Sequence, residues 1–153
     1  MQYQLDEAMA ILSRTPSVLK VMLEGLPESW THSNEGIDTW SPFDVVGHLI
    51  HAEKTNWMPR VRGILAQENY AFEPFNRFAM LEASRGKTLQ ELLNDFAILR
   101  EQNLSTLQTF GLSEVDFVKT GLHPEFGQVS LKELLATWVV HDLSHMRQIV
   151  RTM

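Results

Sequence analysis

The sequence predicts an all-α protein, a four-helix bundle in which residues 1–153 form one domain. Three observations predict it. Apolar residues recur at the helical period in four long stretches. Helix-start signals precede three of them. Convincing alternation of apolar and polar residues, the mark of a half-buried strand, is absent.

The first helix is expected over residues 4–24, beginning near Leu5. Thr15-Pro16 reads as a bend inside it or as a second start, because proline lacks the N–H that continues a helix. Gly25 stands where a C-terminal cap would. The second helix is expected over residues 41–67. Ser41-Pro42-Phe43-Asp44 puts a capping hydroxyl, a proline at the first helical position and an acid in the first turn, and Pro59 marks a bend. The third, residues 88–110, opens on the capping box Thr88-Leu89-Gln90-Glu91 and ends before Gly111. The fourth, residues 130–152, opens on the box Ser130-Leu131-Lys132-Glu133. Connections 25–40, 68–87 and 111–129 join the four.

Composition narrows the function. The chain is 44% hydrophobic and 21% charged, ordinary for a globular protein. A net charge of -6 gives neither the basic footprint of a nucleic-acid partner nor attraction to an anionic membrane. There is no cysteine, which excludes disulfides, thiolate-ligated zinc and a cysteine nucleophile. The first residues, MQYQLDEAMAILSRTP, lack a basic region followed by a long apolar run, and no stretch approaches ~18 apolar residues. A cytoplasmic location is the expectation.

Chemistry concentrates in His141-Asp142-Leu143-Ser144-His145. Two histidines one turn apart on a helix can reach one point. They share a sector with Leu134, Thr137, Trp138 and Gln148, so both should face the core. Two inward imidazoles need partners. The second helix offers His48, in a sector with Asp44, Val45, Ala52 and Thr55, and His51, offset by roughly 60°. A third imidazole would complete three nitrogen ligands, the pattern of an open metal site with water in the remaining position. A zinc-peptidase helix is disfavoured: Asp142 is a methylene shorter than the glutamate base, and no His, Asp or Glu follows His145. A di-iron carboxylate site is disfavoured too, because no Glu-x-x-His occurs.

Trp40-Ser41-Pro42, His48-Leu49 and Glu53, followed by Leu134-Leu135, the His141/His145 pair and Gln148, resemble the DinB/YfiT-like superfamily over nearly the whole chain. That superfamily includes relatives of bacillithiol S-transferases and of the metal domain of mycothiol-dependent maleylpyruvate isomerase. The resemblance implies a four-helix bundle with one divalent metal ion, zinc or nickel, on three histidines. It places the ligands at His48, His141 and His145. It also implies a metalloenzyme for thiol transfer or metal-dependent hydrolysis, a small-molecule substrate such as a low-molecular-weight thiol, and a homodimer. The alternative is a non-enzymatic bundle that binds a metal or a small molecule. A second apolar stripe, Leu135, Val139, Met146 and Val150, would pack a sister subunit or another helix of the same bundle.

Three charged residues are out of place. Arg100, with Asn103, interrupts the apolar stripe Leu89, Leu92, Leu93, Phe96, Leu104, Leu107, and a buried guanidinium needs an acid or a bound anion. Asp142 borders apolar positions, and Glu53 is a further acid. Either they pair structurally, Arg100 with Asp142 or Glu53, or they are catalytic: Arg100 on a substrate carboxylate, Asp142 or Glu53 orienting an imidazole or taking a proton. His123, in the connection before the last helix, reaches the metal only if that connection folds back. His32 should be solvated. Trp40, Trp57 and Trp138 are expected in the core, with Trp138 a candidate pocket wall.

Overall fold

The computed structural model describes residues 4–153. Its elements run α1 (Leu5–Leu12), α2 (Thr15–Leu23), α3 (Glu28–Thr31), α4 (Pro42–Thr55), α5 (Trp57–Ala66), β1 (Tyr70–Ala71), α6 (Ala79–Ala83), α7 (Leu89–Thr109), α8 (Glu114–Phe117), β2 (Thr120–His123), β3 (Gly127–Ser130) and α9 (Leu131–Thr152). The four bundle rods are α1–α2, α4–α5, α7 and α9. Their starts follow the caps: Ser41, Thr88 and Ser130 each accept from the N3 backbone N–H, while the N3 acid accepts in return. Gly25 and Gly111 take the positive φ that ends a helix.

Two rods are broken rather than bent, and the breaks precede the prolines. Pro16 lies four residues after Leu12, the last residue of α1, and Pro59 lies four after Thr55, the last residue of α4. A proline in a helix cannot donate to the carbonyl four residues back, and its ring clashes with it. The chain therefore interrupts at that earlier carbonyl and restarts with the proline in the new first turn.

The connections hold more order than the sequence suggested. α3, α6 and α8 are single turns. A small sheet, absent from the sequence-based expectation, joins β1 to β2 in parallel and β2 to β3 antiparallel. Strands of two to four residues are too short to display alternation. The β2–β3 hairpin closes at His123 opposite Gly127, whose φ is +73°. At Gly121 a Cβ would collide with the Phe72 ring, so the absent side chain seats that ring against the sheet.

The core is two apolar clusters separated by a polar waist. One gathers Leu12, Trp57, Val61, Leu104, Leu107, Leu134 and Trp138; the other gathers Leu19, Leu23, Val45, Leu49, Leu92, Phe96 and Ile149. On three of the rods the residues between the clusters are polar: Glu53 on α4, Arg100 on α7, and His141, Asp142 and His145 on α9. Of the second α9 stripe, Leu135 is buried, Val139 and Met146 pack on the core margins, and Val150 is exposed.

Gly121→Ala should cost about 1–3 kcal/mol, the usual range for an overpacked core site, because Phe72 must leave its seat. Urea unfolding measures it. A loss below ~0.5 kcal/mol would mean that the ring relaxes freely.

Candidate metal centre

Three imidazoles meet at the waist. α4 delivers His48, and α9 delivers His141 and His145 from successive turns of one face. One ring nitrogen from each lies within 4.8 Å of the others. His48 Nε2 and His141 Nε2 are 3.0 Å apart. Zinc–nitrogen bonds of ~2.0–2.1 Å separate neighbouring ligand atoms by roughly 3.0–3.4 Å, so this spacing suits two ligands of one ion. Gln148 fixes the third ring. Its Oε1 lies 2.9 Å from His145 Nδ1, which must therefore carry the proton, leaving Nε2 with a free lone pair. The Nδ1 atoms of His48 and His141 are buried without a partner.

Burial keeps these rings neutral, the form that ligates. Desolvation, then the neighbouring histidines, hold His48 down at about 3 and His141 at about 2. His145 is lowered by burial as well, against the opposing pull of Gln148 and Asp142. Three neutral nitrogen donors close together, with no acid hydrogen-bonded to any of them among the described residues, form a donor set for a divalent ion of the first transition row.

The walls are aromatic, and two long connections supply them. Trp40, just before the Ser41 cap, lies tilted at 4.7 Å from His48 and stacks at 6.2 Å on His145. Phe75, from the connection after β1, meets His48 edge-on at 5.4 Å. Trp57 stands edge-on to His141 at 5.1 Å and stacks on Trp138 at 5.5 Å. Trp57 is in the core as the sequence predicted, Trp40 is half-buried at the core margin, and the sequence gave no signal for Phe75, which lies outside any periodic stretch. A surface groove of about 550 Å³ between α1–α2 and α7 contains none of the three histidines.

Beside the imidazoles lies an ion network centred on Arg100, which is 1% exposed. Nε and Nη2 donate to Glu53 Oε1 at 3.1 and 2.7 Å. Nη1 and Nη2 donate to the two Asp142 oxygens at 2.6 and 3.0 Å. Nη1 also donates to the Leu12 carbonyl at 2.8 Å. That carbonyl is the one left without its helical donor by Pro16. Asn103 donates to Glu53 Oε2 at 2.8 Å, and Trp138 Nε1 to Glu53 Oε1 at 3.1 Å. Burial alone would weaken the guanidinium's hold on its proton, but Glu53 and Asp142 outweigh it and raise the pKa. All five N–H groups are thus committed, leaving none for a substrate carboxylate. Neither acid hydrogen-bonds an imidazole. The trio instead positions the ligand helices, since Glu53 lies five residues after His48 and Asp142 directly follows His141.

The remaining histidines lie elsewhere. His51 packs on Phe75 at 5.0 Å, outside the cluster. His123 sits in the β2–β3 hairpin and stacks on Phe126 at 4.6 Å. His32 is exposed and stacks on Phe43.

The comparisons agree with the fold. The profile of the DinB superfamily matches residues 11–149. No curated protein matches the sequence. Among solved structures, YfiT from Bacillus subtilis, described as a probable metal-dependent hydrolase with an unusual four-helix bundle topology, superposes with a TM-score of 0.85 at 22% identity, over 99% of this chain and 87% of YfiT. The four-helix bundle protein TT2238 superposes with a TM-score of 0.63 at 17% identity, over 97% of this chain and 99% of its own.

Two outcomes are expected. Arg100→Ala strands two buried carboxylates and should cost about 3–5 kcal/mol, read as an early thermal transition; a variant as stable as the parent would refute the network's role. The second outcome concerns pH, in protein stripped of metal. The unfolded chain binds protons at its histidines below ~6.5, but the native rings of His48 and His141 do not until about 3 and about 2. Stability is therefore complete above ~6.5 and declines as pH falls, by about 1–3 kcal/mol between pH 7.5 and 5.5. Denaturant titrations across that window check it; a flat profile would show that the rings are not held neutral.

Proposed function

The chain belongs to the DinB superfamily, and from that premise we propose that His48, His141 and His145 hold one divalent metal ion, zinc or nickel, for thiol transfer to a small electrophile. The observation that carries the metal reading is the convergence on one point of three imidazoles, one buried and two half-buried, whose desolvation favours the neutral form. A divalent ion held there supplies Lewis acidity, lowering the pKa of a thiol or water beside it. The protein's own contribution is geometry and exclusion. Gln148 fixes the His145 tautomer. Trp40, Trp57 and Phe75 keep bulk water from the rings and offer apolar surface to a small organic substrate.

The acid content of the site favours a thiol over water as nucleophile. Hydrolysis calls for a base to take the proton of water, and the two buried carboxylates are occupied by Arg100. A thiol begins near pKa ~8.5 and needs only a modest shift to ionise at neutral pH. Metal-dependent hydrolysis is the second reading, favoured by the description of YfiT.

Elemental analysis of protein purified without a metal-affinity column should find one divalent ion per chain, and none in His141→Ala. Thiol consumption with an activated electrophile should depend on that ion and disappear in the variant. Ester or amide turnover without thiol consumption would replace the leading reading with the second. Stoichiometric metal with turnover of neither class would make the protein a binding bundle.

A further inference from the structure

The chain buries a second arginine and treats it differently. Arg60, on α5, is 7% exposed, yet it makes one side-chain hydrogen bond and no ion pair among the described residues. Its Nη2 reaches the Glu73 carbonyl at 3.3 Å, and its guanidinium lies over the Phe72 ring with Cζ 4.6 Å from the centroid. Arg100, also buried, has two carboxylates and a carbonyl. Unlike Nδ1 of His48 and His141, the unbonded Arg60 nitrogens are not fully enclosed, so they stay open to solvent or to an incoming anion. The pKa of Arg60 is lowered by burial. The other Arg60 N–H groups have no protein acceptor among the described residues.

A second donor stands at the same ring. His123, on β2, meets Phe72 edge-on at 6.0 Å, and the charge of Arg60 is felt at its imidazole. The hairpin fixes its tautomer. The backbone N–H groups of Glu125 and Phe126 approach His123 Nδ1 at 3.1 and 3.3 Å, so Nδ1 is the acceptor and Nε2 carries the hydrogen. The neighbouring acids, Glu73 and Glu125, are exposed and form no ion pair with Arg60. Phe72, seated against Gly121, is a buried ring that both side chains approach.

We propose that Arg60 and His123, at the Phe72 ring, form an oxyanion-binding site for the carboxylate or phosphate group of a small molecule. Arg60 contributes charge and a planar fork of donors, His123 a neutral N–H, and Phe72 an apolar base that holds the guanidinium flat. The site is distinct from the three imidazoles, although one connection serves both: Phe75 lies against His48, and Glu73, two residues earlier, is held by Arg60. The assignment stands whether or not the imidazoles carry metal.

The test is an NMR titration of the His123 ring signals at constant ionic strength, with inorganic phosphate, malonate and chloride as probes. Saturable shifts with phosphate, malonate or both, but not chloride, are expected, and the stronger probe identifies the group the site takes. Arg60→Met should weaken binding at least about tenfold through loss of the charged fork. His123→Gln, at a half-exposed hairpin position that tolerates change, reports independently if Arg60→Met does not fold; there the intrinsic fluorescence of the protein follows the titration, and weaker binding is expected. No saturable shift with either oxyanion, or affinity unchanged in both variants, would overturn the assignment and leave Arg60 as a clamp on the Glu73 carbonyl.

Discussion

A guanidinium cannot be buried alone, and the arrangement of this bundle follows from how Arg100 is satisfied. Its partners come from three rods: the Leu12 carbonyl from α1, Glu53 from α4 and Asp142 from α9. Each partner fixes the axial position of its helix against α7. A slip of one turn on α4 or α9 would withdraw a carboxylate by about 5 Å and leave charge unpaired in a dry interior. Apolar packing alone tolerates small slips, because leucine meets leucine in several registers. The ion network does not. His48, His141 and His145 are therefore held in mutual register by residues that make no hydrogen bond to them.

The same network explains why the first rod is broken. An uninterrupted helix through residue 16 would engage the Leu12 carbonyl in an intrahelical bond. Pro16 has no N–H to give it, and the carbonyl turns to Arg100 Nη1 at 2.8 Å. A residue that reads locally as a helix breaker thus supplies an acceptor to the middle of the molecule.

What was legible in the sequence was mostly what is local. Ser41, Thr88 and Ser130 announced three helix starts because a capping box lies within four residues. The α9 histidine pair was legible because its spacing is helical, and Arg100 because a charge inside an apolar stripe contradicts its surroundings. The restart at Thr15-Pro16 was legible as one of two readings, and α2 begins there; at Pro59 only a bend was expected, and the break falls four residues earlier, after Thr55. The sheet was missed because its strands are too short for a period. That a single arginine would take both Glu53 and Asp142, 47 and 42 residues away, depends on rods meeting in space. His48 and His51 were separable only by resemblance, since roughly 60° on a helix wheel lies within the error of any sector. Phe75 had no signal.

The waist also sets an electrostatic environment for its occupant. Arg100 contributes one positive charge and its two carboxylate partners two negative charges, so the buried network is formally one unit negative. Lys and Arg elsewhere on the surface are too well screened to balance it. Nor can the adjacent imidazoles, because burial and mutual repulsion hold His48 and His141 neutral. The network acts unevenly on those nitrogens, however: Asp142 favours a cation at His145, while Arg100 opposes one at His141. Cation affinity at the waist therefore rests on the convergence of the three nitrogen donors themselves, and the ion network serves to hold them in register.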